Sequence, residues 1–168
     1  MIDSLRRLLP AARARAPRAR LGLEAGAYVL VTLHRPALVD DARVLQATVD
    51  ALGEIAERLP VALPIHPRTR AQMERSGIGV PSGVVGLEPL GYLDFIALEA
   101  DARLVITDSG GVQEETTALG VPCLTVRTTT ERPITVTHGT NAVIGFDPAA
   151  MQQPLWKSSG GPFPYSRP

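Results

Sequence analysis

Arg103-Leu-Val-Ile-Thr-Asp-Ser-Gly-Gly-Val-Gln-Glu-Glu115 sets the frame for the rest of the chain. Leu104, Val105 and Ile106 read as a buried strand, Asp108-Ser109-Gly110-Gly111 as a turn, and residues 111–119 as a helix that Gly120 ends. A strand, a small-residue turn and a helix leave unpaired backbone N–H groups and the positive end of a helix dipole at the carboxyl edge of a sheet, which suits a phosphate. The glycines let a phosphate approach the backbone closely. The spacing is neither G-x-G-x-x-G nor the glycine-rich loop ending in Lys-Ser/Thr. A phosphate cradle and tight packing of strand on helix are both open on these residues alone.

Upstream, the same alternation repeats. Ile2, Leu5 and Leu9 share one face of a short helix that Pro10 is expected to end. A linker rich in Ala, Arg and Pro then runs to about Gly26. Tyr28-Val-Leu-Val-Thr-Leu33 is a continuous apolar strand, the pattern of a sheet covered on both faces. Asp40 or Asp41 is placed to cap a helix whose stripe is Leu45, Val49, Leu52, Ala56 and Leu59. Val61–Ile65 is a second strand, Pro67 to about Arg75 a helix ended by Gly77, and Val84–Leu87 a third strand. A helix beginning near Tyr92 leads to the quoted stretch. Downstream, Pro122–Val126 gives a fifth strand, a short helix ends at Gly139, and residues 142–144 give a sixth strand. The prediction is an α/β fold: a Rossmann-like parallel sheet with helices on both faces. Residues 27–148 form that domain, residues 1–26 a linking helix and linker, and residues 149–168, rich in Pro, Gly and Ser, an irregular tail.

Composition narrows the function classes. The formal net charge is zero, yet residues 1–20 carry six Arg against Asp3, leaving 11 basic and 16 acidic residues elsewhere. No aromatics interleave with those arginines, so a solvated arm is expected rather than a nucleic-acid or membrane contact. Cys123 is the only cysteine and reads as a buried core thiol, which excludes a disulfide framework or a cysteine-based metal site within one chain. No apolar run reaches the length of a membrane span, and a cytoplasmic location is the default expectation.

In open parallel sheets, ligands sit outside the carboxyl ends of the strands. His34 and Arg35 follow the first strand, His66 and Arg68 the second, Glu88 the third, Asp108 and Ser109 the fourth, and Arg127, Glu131 and Arg132 the fifth. All fall at one edge. Ser109 also fits a helix N-cap, but a reciprocal capping box needs Glu or Gln at position 112, which is Val112. Glu115, more than one turn into the helix, is placed to reach a sugar hydroxyl of a nucleotide whose diphosphate rests on Ser109–Gly111.

Six segments together resemble the non-hydrolysing UDP-N-acetylglucosamine 2-epimerases: Thr32-Leu-His-Arg-Pro36, His66-Pro-Arg-Thr-Arg70, Leu87-Glu-Pro-Leu-Gly-Tyr-Leu-Asp-Phe95, Thr107-Asp-Ser-Gly-Gly-Val-Gln-Glu-Glu115, Thr130-Glu-Arg-Pro133 and Gly139-Thr-Asn141. The likeness runs from about Met1 to Pro148. It implies the second, UDP-binding domain of a two-domain GT-B fold, with the N-terminal domain missing. It implies that Ser109, Gly110 and Gly111 hold the UDP diphosphate, that Glu115 binds the ribose, and that Arg132 binds the phosphates. It further implies that Leu90 and Phe95 enclose the uracil and that His34 is the catalytic group beside the diphosphate and sugar. Arg35 and His66 resemble an activator site for a second UDP-GlcNAc. The implied reaction eliminates UDP and adds it back with C2 inverted, interconverting UDP-GlcNAc and UDP-ManNAc, with no cofactor and no metal.

Departures accompany the likeness. Ala37-Leu-Val39 stands where many relatives have Glu-Asn, and Ile134 where an acid is common. The groups that handle the C2 proton belong to the absent domain, so little activity is expected of these 168 residues alone. An uncovered cleft edge suggests a homo-oligomer. A GT-B glycosyltransferase fragment and a non-catalytic nucleotide-sugar binding module are the competing expectations.

Overall fold

The computed structural model describes residues 2–156, with side chains as far as Gln152. Its strands are β1 (Val29–Thr32), β2 (Val61–Pro64), β3 (Val84–Leu87), β4 (Leu104–Thr107), β5 (Cys123–Thr125) and β6 (Asn141–Val143). All neighbours pair in parallel, in the order β3-β2-β1-β4-β5-β6. Helices α1 (Ile2–Ala14) and α2 (Pro17–Arg20) precede the sheet. The crossovers carry α3 (Pro36–Val39), α4 (Ala42–Ala56), α5 (Pro67–Ser76), α6 (Tyr92–Asp101), α7 (Gly110–Leu119) and α8 (Pro133–Thr137), and α9 (Pro148–Trp156) follows β6. This is the expected doubly wound sheet. The order reverses between β1 and β4, and that reversal opens the crevice in which such sheets bind ligands.

The apolar runs are explained by burial on both sides. Val29, Val31 and Leu33 face Leu45, Val49, Leu52 and Ile55 of α4. Tyr28 and Leu30 point the other way, with Val105, toward Leu98 of α6 and Val112 of α7. Asp41 is the residue that caps α4, accepting from the N–H groups of Arg43 and Val44. Gly77 and Gly120 end α5 and α7 with φ of 66° and 72°, backbone that a side chain would strain.

Three expectations are corrected. Pro10 does not end the first helix; α1 continues to Ala14 around it. Burial of Leu5 and Ala12 against Ile96 and Ala97 of α6 outweighs the missing N–H. The expected linker instead contains α2, and its arginines are tied down. Arg15 grips both oxygens of Asp94 at 2.7 and 3.0 Å, Arg20 reaches Asp94 at 3.2 Å, and Arg18 reaches Asp101 at 3.1 Å. Those pairs take up part of the N-terminal positive charge, while Arg6 and Arg7 on α1 are exposed. Finally, residues 149–156 are helical where an irregular tail was expected. Asp147 accepts from the Ala149 N–H at the start of α9, and Met151 is fully buried in the core beside α4. The remainder of the expected tail, residues 157–168, lies outside the described residues.

Gly139 marks a tight approach of α8 to α7. A Cβ there would lie 2.5 Å from Oγ1 and 2.7 Å from Cγ2 of Thr117, and against the Thr135 carbonyl oxygen. Gly139→Ala is expected to destabilise the fold by about 1–3 kcal/mol through overpacking, read as a lowered midpoint of urea unfolding at unchanged slope.

Candidate functional site

Most of the candidate side chains follow the end of a strand, while Phe95 and Glu115 sit within the helices that come next. Ser109 is the N-terminal flanking residue of α7, and its side chain makes no capping bond. Its own N–H donates to Thr107 Oγ1 at 3.0 Å. The N–H groups of Gly110, Gly111 and Val112 have no intrahelical acceptor, as at any helix start. The Ser109 hydroxyl and the first amides of a ten-residue helix are thus available at one point. Packing alone does not account for Gly110, since a Cβ there would make only ordinary contacts, 3.6 Å from Glu131 Oε2 and 3.9 Å from Arg132 Cγ. Those distances also show that the loop after β5 lies directly over the turn.

Asp108 organises the crevice more than its place at a strand end suggested. It is fully buried. Its Oδ2 accepts from the backbone N–H groups of His34 (2.8 Å) and Arg35 (2.7 Å), stitching the loop after β1 to the end of β4. The His34 ring places Nδ1 2.9 Å from Asp108 Oδ1, an ion-pair distance without hydrogen-bond alignment. The His34 and His66 rings stand 5.6 Å apart. His66 caps α5, its Nδ1 accepting from the Arg68 N–H at 3.1 Å, so only Nε2 is left for a ligand. Arg68 is paired with Asp40, and Arg70 with Glu88.

The loop after β5 is a web of charge. Glu131 takes both terminal nitrogens of Arg127 at 2.7 and 2.8 Å and Arg35 at 3.2 Å. Those bonds, Arg127 first, hold its carboxyl down at about 2. Arg132 pairs with Glu114 of α7 at 3.1 Å. Beneath, a buried polar network fixes the loop. Gln113 Oε1 accepts from Thr130 (2.5 Å) and Asn141 (3.3 Å), and Asn141 also donates to Thr135 at 3.0 Å.

Six residues into α7, about 9 Å along its axis from Ser109, Glu115 is 5% exposed. Burial raises its carboxyl above the usual range, and the Tyr92 hydroxyl, donating to Oε1 at 2.8 Å, opposes that rise. Leu90 and Phe95 pack partly buried on the same apolar cluster as Val112 of α7. Glu99, on α6, is fully buried, and among the described residues both of its carboxyl oxygens lack a hydrogen-bond partner. Burial pushes it up to about 9, and the Glu115 charge adds to that.

The structure therefore brings His34, Arg35 and Asp108 together, and sets Ser109–Gly111 under Glu131 and Arg132. Sequence reasoning missed Asp108 as the anchor of the first loop, Tyr92 as the partner of Glu115, and Glu99. Only the burial-prone position of Glu99 on an apolar helix face signalled the last. Among the described residues no group of His, Cys, Asp and Glu is placed to hold a metal ion, and no helix is long and apolar enough to cross a membrane.

A family model described as UDP-N-acetylglucosamine 2-epimerase matches residues 1–159. A UDP-N-acetylglucosamine 2-epimerase of Methanococcus maripaludis is 40% identical over 127 residues, 72% of this chain and 35% of that protein. A UDP-2,3-diacetamido-2,3-dideoxy-D-glucuronate 2-epimerase of Pseudomonas aeruginosa is 45% identical over 119 residues, 70% of this chain and 33% of that protein. The solved UDP-GlcNAc 2-epimerase of Methanocaldococcus jannaschii, in complex with UDP-GlcNAc and UDP, superposes with a TM-score of 0.85 at 33% identity, covering 99% of this chain and 49% of that one. An Escherichia coli heptosyltransferase shares the fold alone, with a TM-score of 0.58 at 19% identity over 80% of this chain and 44% of that one. The chain spans about a third of the length of the curated relatives it matches and about half of the solved chain. With its doubly wound sheet and its strand-end crevice, the chain belongs to the UDP-N-acetylglucosamine 2-epimerase family.

Proposed function

We propose that this chain is the nucleotide-binding half of a UDP-2-acetamido-sugar 2-epimerase. The observation that carries the reading is the uncapped start of α7 beneath Arg132, with a buried carboxylate at Glu115 one and a half turns further on. A diphosphate on the amides of Gly110 and Gly111 and the hydroxyl of Ser109 would gain the dipole of α7. Glu115 takes the ribose hydroxyls, and Leu90 and Phe95 flank the uracil. Arg132 turns from Glu114 to the phosphates, and His34 stands beside the diphosphate and sugar. As the bond from C1 to UDP breaks, charge grows on the departing diphosphate, where Arg132 and the helix start stabilise it.

The sugar itself stays within a class. The archaeal and Pseudomonas relatives are named for substrates that share UDP and a 2-acetamido group but differ elsewhere on the ring. The residues held here explain binding of the shared part. Proton transfer at C2 needs positioned acid–base groups, and we assign those to a partner domain, in this polypeptide or another. Arg35 and His66 form the face for a second, activating nucleotide sugar, and self-association covers the open cleft edge.

Calorimetry with UDP and UDP-GlcNAc tests the reading. UDP is expected to bind at or below millimolar concentration, and Glu115→Ala to weaken it at least tenfold, the effect of losing hydrogen bonds to a charged group. Absence of UDP binding at millimolar concentration would remove the function proposed.

A further inference from the structure

The Glu115 carboxylate does not stand alone. Tyr92, the first residue of α6, is 41% exposed at the rim, while its hydroxyl reaches inward to Oε1 of Glu115 at 2.8 Å. The two residues lie on different helices, 23 positions apart, so this bond ties the wall of the site to its floor. A carboxylate offers about four lone-pair directions. With one taken by Tyr92, the remainder are free for the two hydroxyls of a ribose. A glutamate has three side-chain torsions, and an acceptor that must meet two hydroxyls at once gains from having them fixed beforehand. Glu99, two turns further along α6, does not help: its oxygens bond to nothing among the described residues.

We propose that Tyr92 is a positioning residue of the ribose subsite, its hydroxyl holding the Glu115 carboxylate in the orientation that receives both ribose hydroxyls of a uridine nucleotide. This rests on the reading of the crevice as a UDP site. The bond is also electrostatic. A phenol donating to the carboxylate favours its charged, acceptor-only form against the effect of burial.

The test compares UDP with 2′,3′-dideoxy-UDP by calorimetry on the 168-residue chain, its Tyr92→Phe variant and its Glu115→Ala variant. The wild type is expected to prefer UDP by roughly tenfold or more, from hydrogen bonds to a charged acceptor. Glu115→Ala should abolish that preference. Tyr92→Phe should lower it to within about threefold while leaving the dideoxy affinity unchanged, because the ring stays and only the hydroxyl is lost. Carbon-13 NMR titration of the glutamate carboxyls, without nucleotide, should show Glu115 titrating higher in Tyr92→Phe. If Glu115→Ala loses the preference and Tyr92→Phe keeps it, the positioning role is wrong and the UDP reading stands. If the wild type binds both nucleotides equally, the ribose subsite fails and this role with it. An unmoved Glu115 titration would likewise overturn the proposal.

Discussion

Glu99→Met is expected to stabilise the protein at pH 7, by about 3 kcal/mol, with a gain that depends on pH. The carboxyl rises from its usual 4.5 to about 9 because it is buried. Between those values the folded chain holds a proton that the unfolded chain releases, so stability falls as pH rises through the window and is fully retained below about 4.5. At pH 7, about 2.5 above the lower end of that window, the loss is roughly 3 kcal/mol. Methionine fills a similar volume and has no orphaned oxygen to desolvate. For a domain of this size the change corresponds to a thermal midpoint about 10 °C higher. Melting curves at pH 5, 7 and 8.5 decide it. The wild type should weaken across the series and Glu99→Met should weaken less, keeping the share due to Glu115, whose carboxyl is also raised. Parallel curves for the two proteins would show that Glu99 is not buried as described.

Asp108→Ala is expected to cost about 3–5 kcal/mol and to eliminate UDP binding. Oδ2 takes two backbone N–H groups, those of His34 and Arg35, and each charge-assisted bond is worth about 1.5–3 kcal/mol. Without the carboxylate those amides lose their acceptor, and the loop that carries His34 is released from β4. Asp108→Asn separates the two roles. Its carbonyl oxygen can still receive both amides, so stability should recover most of the loss. Its NH₂, however, replaces the carboxylate oxygen that lies 2.9 Å from His34 Nδ1, so a donor stands where the ring now meets an acceptor. Urea unfolding read alongside calorimetry should therefore show Ala failing both measurements and Asn keeping most of the stability while losing nucleotide affinity. Equal stability of Ala and wild type would mean that the loop is held by other contacts.

The sheet was legible because its central strands are buried on both faces, and the runs 28–33, 61–65 and 104–107 can satisfy their side chains no other way. The site was legible as residue types at strand ends, since parallel strands bring all their carboxyl ends to one edge. What stayed hidden was decided by distant partners. Pro10 sits inside α1 because α6 offers a surface for Leu5 and Ala12. Residues 149–156 coil because Met151 finds the core beside α4. The bond between Tyr92 and Glu115 and the stitch from Asp108 to residues 34 and 35 join segments 23 to 74 positions apart. No periodicity or spacing encodes such a contact before the fold exists.

The arginine clamps on α6 have a mechanical consequence. Asp94, in its first turn, is gripped by Arg15 and Arg20, and Asp101, its last residue, by Arg18. A short rod pinned near both ends resists rolling about its long axis. Tyr92 lies two residues before the first pin, and rolling is the motion that would swing its hydroxyl away from Glu115. The N-terminal segment thus acts as a splint: it contributes no atom to the contact between Tyr92 and Glu115, yet it anchors both ends of the helix that carries Tyr92.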